Sequence, residues 1–384
     1  MPIFPILPSL PDWTFKPVFD IRERIERRLE KDFNESVPDN RSDLTSRLRA
    51  GFDFSYKNQY TGRVMYQYGH TLYWSPAKNA SEWRSDIFLA YVDAKTMEGT
   101  LRLGRQNIFI SSQRLLGQSD WGITGRSYDG ARWTGKGWDV FAGRLSVNGT
   151  PSKDATIAGA LHSGKYGDTL YVYRHDEKSA SHIDLHTLDH VWKFKSNRWS
   201  GSAEGAIQTG RTGDRKQEAW AAAVRADYAS DSKTTLYFEG AAASGGGDAE
   251  TSRTFDQYYA TLHSKHGIMD MQGWRNMTGI TLGVNHKPTP KLSLTGEFHK
   301  FGLFDASDAW YGDGGGANKG FVDPTGNSGK DVGQELDLYA SYSLDAKSQL
   351  EGGFGVFMPG DFVKSFPGRN DKQFWGYLQY RIRF

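Results

Sequence analysis

The chain has 384 residues, no cysteine, and 47 basic against 45 acidic side chains, a formal net charge of +2. The lack of cysteine excludes a disulfide framework and a thiolate metal site, and so balanced a charge gives no argument for nucleic acid as a partner. Mean hydropathy is −0.63 and no run approaches the roughly 18 apolar residues of a membrane-spanning helix, but a membrane strand needs only alternate residues apolar and escapes such averaging.

The segment 1–12 is proline-rich and has no basic start of the kind that opens a secretory signal. It reads as a short periplasmic segment of a mature chain, with 13–384 forming one domain. From Phe15 the pattern has a period of two. Phe15, Phe19, Ile21, Ile25 and Leu29 share one parity; Lys16, Asp20, Arg22, Arg24, Glu26 and Arg28 share the other. A strand sends these two sets to opposite faces, and Pro17 disfavours the competing helix. The next run puts Leu48, Ala50, Phe52, Phe54 and Tyr56 opposite Arg47, Arg49 and Asp53, and a third puts Tyr66, Tyr68, Leu72 and Trp74 on its greasy side.

Continued along the chain, the alternation gives strands near 13–30, 42–57, 60–74, 84–95, 99–109, 124–134, 136–147, 154–163 and 167–176. Nine more follow near 183–195, 198–210, 216–229, 232–244, 275–287, 290–303, 332–344, 347–358 and 372–384. Short connections alternate with long ones, the long ones falling at 31–41, 107–123, 244–274, 302–331 and 359–371. The final strand places Phe374, Gly376, Leu378, Tyr380, Ile382 and terminal Phe384 on one face, and Trp375, Tyr377, Gln379, Arg381 and Arg383 on the other. The fold class expected is all-β, a transmembrane antiparallel β-barrel of about eighteen strands, sixteen being the alternative count, with short periplasmic turns and long extracellular loops. The 12 Trp, 19 Tyr and 22 Phe suit the aromatic girdles of such a barrel.

At L-R-L-G-R-Q (Leu101–Gln106), R-L-L-G (Arg114–Gly117), Trp121 and G-R-S-Y-D-G (Gly125–Gly130) the sequence resembles the alginate export family of outer-membrane barrels. The resemblance continues through T-F-D-Q-Y-Y-A-T-L-H (Thr254–His263), G-I-M-D (Gly267–Asp270), W-R-N (Trp274–Asn276), Q-E-L-D-L (Gln334–Leu338) and F-M-P-G-D-F (Phe357–Phe362). It departs at Tyr128, where the family pattern has Phe, and at Ser112-Gln113, where it has Gly-Asp. The resemblance implies a monomeric barrel in the bacterial outer membrane, held in lipid and lipopolysaccharide and inserted by the barrel-assembly machinery, whose best-known relative exports an anionic polysaccharide. A periplasmic partner is left open.

The inward parity is rich in guanidinium groups, which match carboxylates and stay charged. Arg22, Arg24, Arg28, Arg47, Arg49, Arg63, Arg102 and Arg144 are assigned to it, with Arg105, Arg114, Arg126 and Arg132 in or beside the 107–123 loop. Carboxylates including Asp20, Glu26, Asp53, Glu204, Asp227, Glu239, Glu297, Glu335, Asp337 and Glu351 are expected to pair with many of these arginines. The candidate constriction is Arg47, Arg49, Arg102, Arg126 and Arg381, opposed by Asp129 and Glu335, with Asp337 and Arg144 also lining the pore. The 107–123 loop either folds inward and narrows the pore or caps the outside. The Gly- and Asp-rich stretch 305–331 reads as a mobile outer loop, with Ca²⁺ held by its oxygens as the alternative; no other cofactor is expected. Rings of arginine favour anions, so the expected role is passive conduction of an acidic polysaccharide or oligosaccharide, with uptake of small anionic or other polar solutes as the alternative. No serine lies in a nucleophile motif, and no enzyme activity is expected.

Overall fold

The computed structural model describes every residue except 1–11, 58, 76–77, 148–149, 178–181, 264 and 319; it gives no account of the side chains of 147 and 150–154. The expected segment 1–12 therefore lies almost wholly outside the described residues. From Trp13 the chain forms the strands that alternation predicts: β1 (Trp13–Leu29), β2 (Arg41–Tyr56), β3 (Tyr60–Ser75), β4 (Lys78–Lys95), β5 (Thr100–Gln106), β6 (Ser127–Gly135), β7 (Trp138–Val147), β8 (Thr150–Gly164) and β9 (Gly167–Asp176). The second half contributes β10 (Ile183–Ser196), β11 (Trp199–Thr212), β12 (Arg215–Ala229), β13 (Thr234–Ala243), a two-residue β14 (Thr251–Ser252), β15 (Met277–Thr289), β16 (Leu292–Gly302), β17 (Asp331–Ser343), β18 (Ser348–Pro359) and β19 (Gln373–Arg383).

Each wall strand pairs antiparallel with its neighbours, and the sheet closes on itself. In the closing seam Asp20 lies opposite Arg383 and Leu29 opposite Phe374. Closure leaves no edge with unpaired backbone groups, which lipid cannot satisfy. Setting aside β14, which pairs parallel with β12 at the rim, the cylinder has eighteen strands. The two elements that sequence reading missed are β14 and a one-turn helix, α1 (Asp361–Lys364); both lie in long loops, where no period marks them.

The solvent pattern is inverted relative to a water-soluble protein. Ile25, Leu48, Phe52, Leu103, Val140, Trp192, Leu282, Leu338 and Leu378 are all at least 39% exposed on the outer face, whereas Arg22, Arg24, Arg47 and Arg49 are at most 4% exposed inside. The largest apolar cluster is not between sheets. It is built where long loops pack into the cylinder, around Leu115, Leu116, Tyr258, Leu262, Ile268, Trp274, Trp310, Phe321 and Phe357. The 305–331 stretch, expected to be a mobile outer loop, belongs to this packing through Trp310 and Phe321. Its carboxylates serve turns: Asp323 accepts from Thr325 and Ser328, and Asp308 accepts from Gly246, Ala309 and Tyr311.

Leu378 is 53% exposed at the middle of β19. Leu378→Arg is expected to lower folding stability in lipid vesicles by about 2–4 kcal/mol, the range for a cation at the bilayer midplane of a barrel. Urea unfolding followed by electrophoretic heat-modifiability measures it.

Candidate pore constriction

The 107–126 loop folds into the barrel and crosses it. At one wall the guanidinium of Arg22 donates to the carbonyls of Asp120 (2.6 Å) and Gly122 (2.7 Å), and Arg24 donates to that of Trp121 (2.9 Å). Arg47 donates to the Asp120 carbonyl at 2.9 Å. The Asp120 carboxylate itself is held by Arg49 at 2.7 Å, Arg381 at 2.9 Å and Arg47 at 3.1 Å. At the far wall Ser112 donates to Glu204 of β11 (2.6 Å) and Ser111 to Asp168 of β9 (3.2 Å). Arg114 reaches Glu239 of β13 at 2.5 Å and Glu204 at 3.3 Å.

A second long loop, 253–276, lies beside the first. Gly117 donates to the carbonyl of Tyr259, and Tyr259 donates to that of Leu115, both at 2.9 Å, with Thr261 donating to Gln113 at 3.0 Å. A Cβ on Gly117 would collide with Thr261, so glycine is what lets the two backbones approach. Trp121 joins the loops to the wall. Its ring stacks on His263 at 3.9 Å, lies 3.8 Å from the Arg24 guanidinium and meets Tyr377 edge-on at 4.9 Å. Asp256 anchors the second loop to Arg174 of β9 at 2.9 Å, and Arg28 of β1 donates to the carbonyl of Met269 at 3.1 Å.

The expected site residues are thereby sorted. Arg22, Arg24, Arg47, Arg49 and Arg381 come together, but around the infolded loop rather than bare to the lumen. Arg63 pairs bidentately with Asp53 (2.5 and 2.9 Å) and Arg102 with Asp93 (2.6 and 2.7 Å) on the inner face nearer the short turns. Arg114 is buried in the loop layer, and Arg126 donates to the carbonyls of Gly117 and Tyr259, tying the loops together. Three assignments are corrected. Arg105, Asp129 and Arg144 share the outward parity of Leu103, Trp138 and Val140, and Arg105 pairs bidentately with Asp129 there at 2.7 and 2.8 Å. The inward positions of β7 carry Phe141, which belongs to the apolar cluster, and Gly143, so the greasy parity there is misleading. Glu335 and Asp337 do face inward but are 0% exposed, because the second loop covers them: Met269 donates to Glu335 and Ile268 to Asp337, each at 3.0 Å.

Of the expected lumen carboxylates, Asp20, Glu26, Asp53, Asp227, Glu204 and Glu239 do pair with arginines. Glu351 instead accepts from Gln379. Asp120 escaped the sequence reading. Its only signal is that Arg22, Arg47 and Arg49, clustered on adjacent strands, have a single carboxylate, Asp20, among their facing neighbours.

Burial raises the Asp120 pKa, but Arg47, Arg49 and Arg381 together outweigh it and hold the carboxyl well below the usual carboxylate range. Burial, then Arg114, push the Lys265 ammonium down to about 8. Burial and Arg114 also push His266 well down, leaving it neutral at pH 7. Beside the loops lie a cavity of about 280 Å³ lined by Arg114, Lys193, Arg225, Lys265, Glu204 and Glu239, and a vestibule of about 680 Å³ at the long-loop end lined by Arg28, Lys31, Arg41, Arg369, Asp32 and Asp39 among others.

A closed barrel with an oily exterior, a charged interior and infolded long loops is the architecture of an outer-membrane channel. The chain belongs to the alginate export family, whose description matches residues 17–377, and it is a protein of the bacterial outer membrane. Its fold is similar to that of Pseudomonas aeruginosa OccK5 (OpdH), at 12% identity over 96% of this chain and 98% of that one, TM-score 0.63. Pseudomonas aeruginosa OpdQ (12% identity, 96% and 98% covered, TM-score 0.65) and Acinetobacter baumannii OccAB1 (13%, 96% and 97%, 0.64) are similar in the same way. No curated protein matches the chain in sequence.

Asp120→Asn removes the charge on which three guanidiniums converge. Loss of one partner from a buried ion pair costs about 3–5 kcal/mol, and here that cost falls on the loop anchor, so single-channel conductance and open-channel noise are expected to rise while the barrel remains folded. For the unmutated chain the depressed pKa means the anchor is intact above the unfolded carboxyl value of about 3.9 and is lost only as pH falls through the lower folded value. Its conductance is therefore expected to be unchanged by loop release between pH 7 and pH 4.

Proposed function

We propose that the barrel passively conducts anionic solutes, the best candidate cargo being an acidic saccharide chain or oligomer of the alginate kind. The supporting observation is the charge imbalance at the constriction. Five guanidiniums, Arg22, Arg24, Arg47, Arg49 and Arg381, share three carboxylates, Asp20, Glu26 and Asp120. Several of their nitrogens, including Arg22 Nε, Arg47 Nη2 and Arg49 Nη2, are buried without a hydrogen-bond partner. Such a surplus lowers the barrier for an anion and raises it for a cation. At the long-loop mouth Arg28, Lys31, Arg41 and Arg369 outnumber Asp32, Asp39 and Asp270, while at the short-turn mouth Lys16 and Arg63 are balanced by Asp53 and Asp93. The channel acts as a monomer, with a periplasmic partner left open.

A second reading, uptake of small anions, is favoured by the two loops that cross the lumen and leave little room for a wide polymer. The two readings share one electrostatic mechanism and differ in cargo size. A planar bilayer under a salt gradient is expected to give a reversal potential of anion-selective sign, weakened or inverted by Arg47→Glu with Arg49→Glu; cation preference in the unmutated channel would contradict both. Liposome swelling with uronic acids of rising length separates them: passage of oligomers supports the saccharide-chain reading, and a cut-off at single sugars supports small-solute uptake. Because Lys265 loses its proton near pH 8, anion preference is expected to fall between pH 7 and pH 9, and Lys265→Gln is expected to flatten that slope.

A further inference from the structure

Away from the arginine cluster, the inner faces of β15, β16 and β17 hold a group of side chains that the conduction mechanism does not use. Glu297 and His299 come from β16 and Asp337 from β17, with His299 1% and Asp337 0% exposed. One donor atom from each lies within 4.8 Å of the other two. His299 Nε2 is 3.4 Å from Asp337 Oδ2 and 3.7 Å from Glu297 Oε2, yet it has no hydrogen-bond partner. Its other nitrogen, Nδ1, is held by Thr281 Oγ1 at 2.8 Å. Glu335 is 0% exposed beside them, and its Oε2, like Asp337 Oδ1, is buried with no partner.

We propose that this cluster is a structural divalent-metal site of the Zn²⁺ class. Three carboxylates surround one imidazole, and among the described residues no lysine or arginine is ion-paired with Glu297, Glu335 or Asp337. Three buried carboxylates beside a single imidazole leave net negative charge even with that imidazole protonated, and such a surplus needs a counter-ion. The 3.4 and 3.7 Å spacings suit ligands gathered on one ion at about 2.0–2.2 Å each. An imidazole fixed through Nδ1 by a hydroxyl, with Nε2 aimed at the carboxylates, has the outer-shell support usual for a metal-bound histidine. That ligand also disfavours Ca²⁺ and Mg²⁺, which take oxygen. Glu297 is further oriented by the Tyr237 hydroxyl at 2.6 Å and that of Tyr339 at 3.1 Å.

The ion would fasten the second loop. Ile268 and Met269 donate their backbone N–H groups to the Asp337 and Glu335 carboxylates. Gly267 has a φ of +83° and a Cβ there would collide with Glu335, so the loop can lie this close only through a glycine. Asp337 Oδ2, the oxygen nearest His299, is also the one that accepts from Ile268, so an ion held there would share a carboxylate with the loop and hold the 267–269 segment against the wall.

The test uses the whole barrel folded in detergent, stripped with chelator and then titrated with Zn²⁺. One equivalent of tightly held zinc is expected by elemental analysis and calorimetry, lost in His299→Ala and in Asp337→Asn, with a zinc-dependent rise in the unfolding temperature of the unmutated protein. The outward-facing His186 and His190 are the control, and His186→Ala with His190→Ala is expected to leave the stoichiometry unchanged. Should a variant not fold, Co²⁺ titration of the unmutated barrel, with its visible ligand-field bands, reads the same site. No stoichiometric zinc and no cobalt spectrum in the unmutated protein would overturn the proposal, leaving a proton-shared carboxyl–imidazole network. Zinc bound equally by folded His299→Ala would overturn it too.

Discussion

The interior of this barrel is governed by a shortage of negative charge beside a dense group of guanidiniums. Arg22, Arg24, Arg47, Arg49 and Arg381 project from three strands that meet at the closing seam, and a wall alone supplies them with Asp20 and Glu26. A loop that brings Asp120 and three backbone carbonyls into their midst relieves the deficit. That demand draws the 107–126 loop inward; once there, it presents backbone to the 253–276 loop, and the two loops carry much of the apolar cluster that narrows the cylinder. Lumen width and loop position thus descend from one electrostatic need, as does the proposed charge selectivity.

Strand parity was the most legible layer. A closed cylinder in lipid fixes which face of every strand is apolar, so Phe374, Leu378 and Tyr380 against Gln379 and Arg381 could be read directly. The reading failed where the interior is itself apolar. Inward Phe141 belongs to the apolar cluster, and Arg144 stands outside with Val140, so the usual rule picks the wrong face of β7. A bulge between Met65 and Tyr66 in the β3–β4 pairing further disturbs the parity around β4. The site was legible as a set of arginines but not as an arrangement. No period marks Asp120 as the acid they seek, and Glu335 and Asp337 look like pore carboxylates until the loop that seals them is seen.

The same barrel therefore uses its interior charges in two ways. On the β1–β2 and β19 side, surplus guanidinium surrounds the infolded loop, and the proposed anion path rests on it. On the β15–β17 side, carboxylates are turned away from the path and engage loop amides. The halves are joined at Trp121, which packs on Arg24 from the first set and on His263 from the loop that covers the second.

The inward position of the first loop is the claim on which all this rests, and the absence of cysteine from the chain makes it directly testable. Gly69 on the inner face of β3 lies against Ile123 of the loop, a Cβ at Gly69 falling 2.5 Å from Ile123 Cγ1. A barrel carrying Gly69→Cys and Ile123→Cys, oxidised in the membrane, is predicted to form that disulfide, with no free thiol left to label and little change in conductance. Two thiols that stay unpaired and freely labelled from outside, or a conductance that collapses when they are joined, would contradict it.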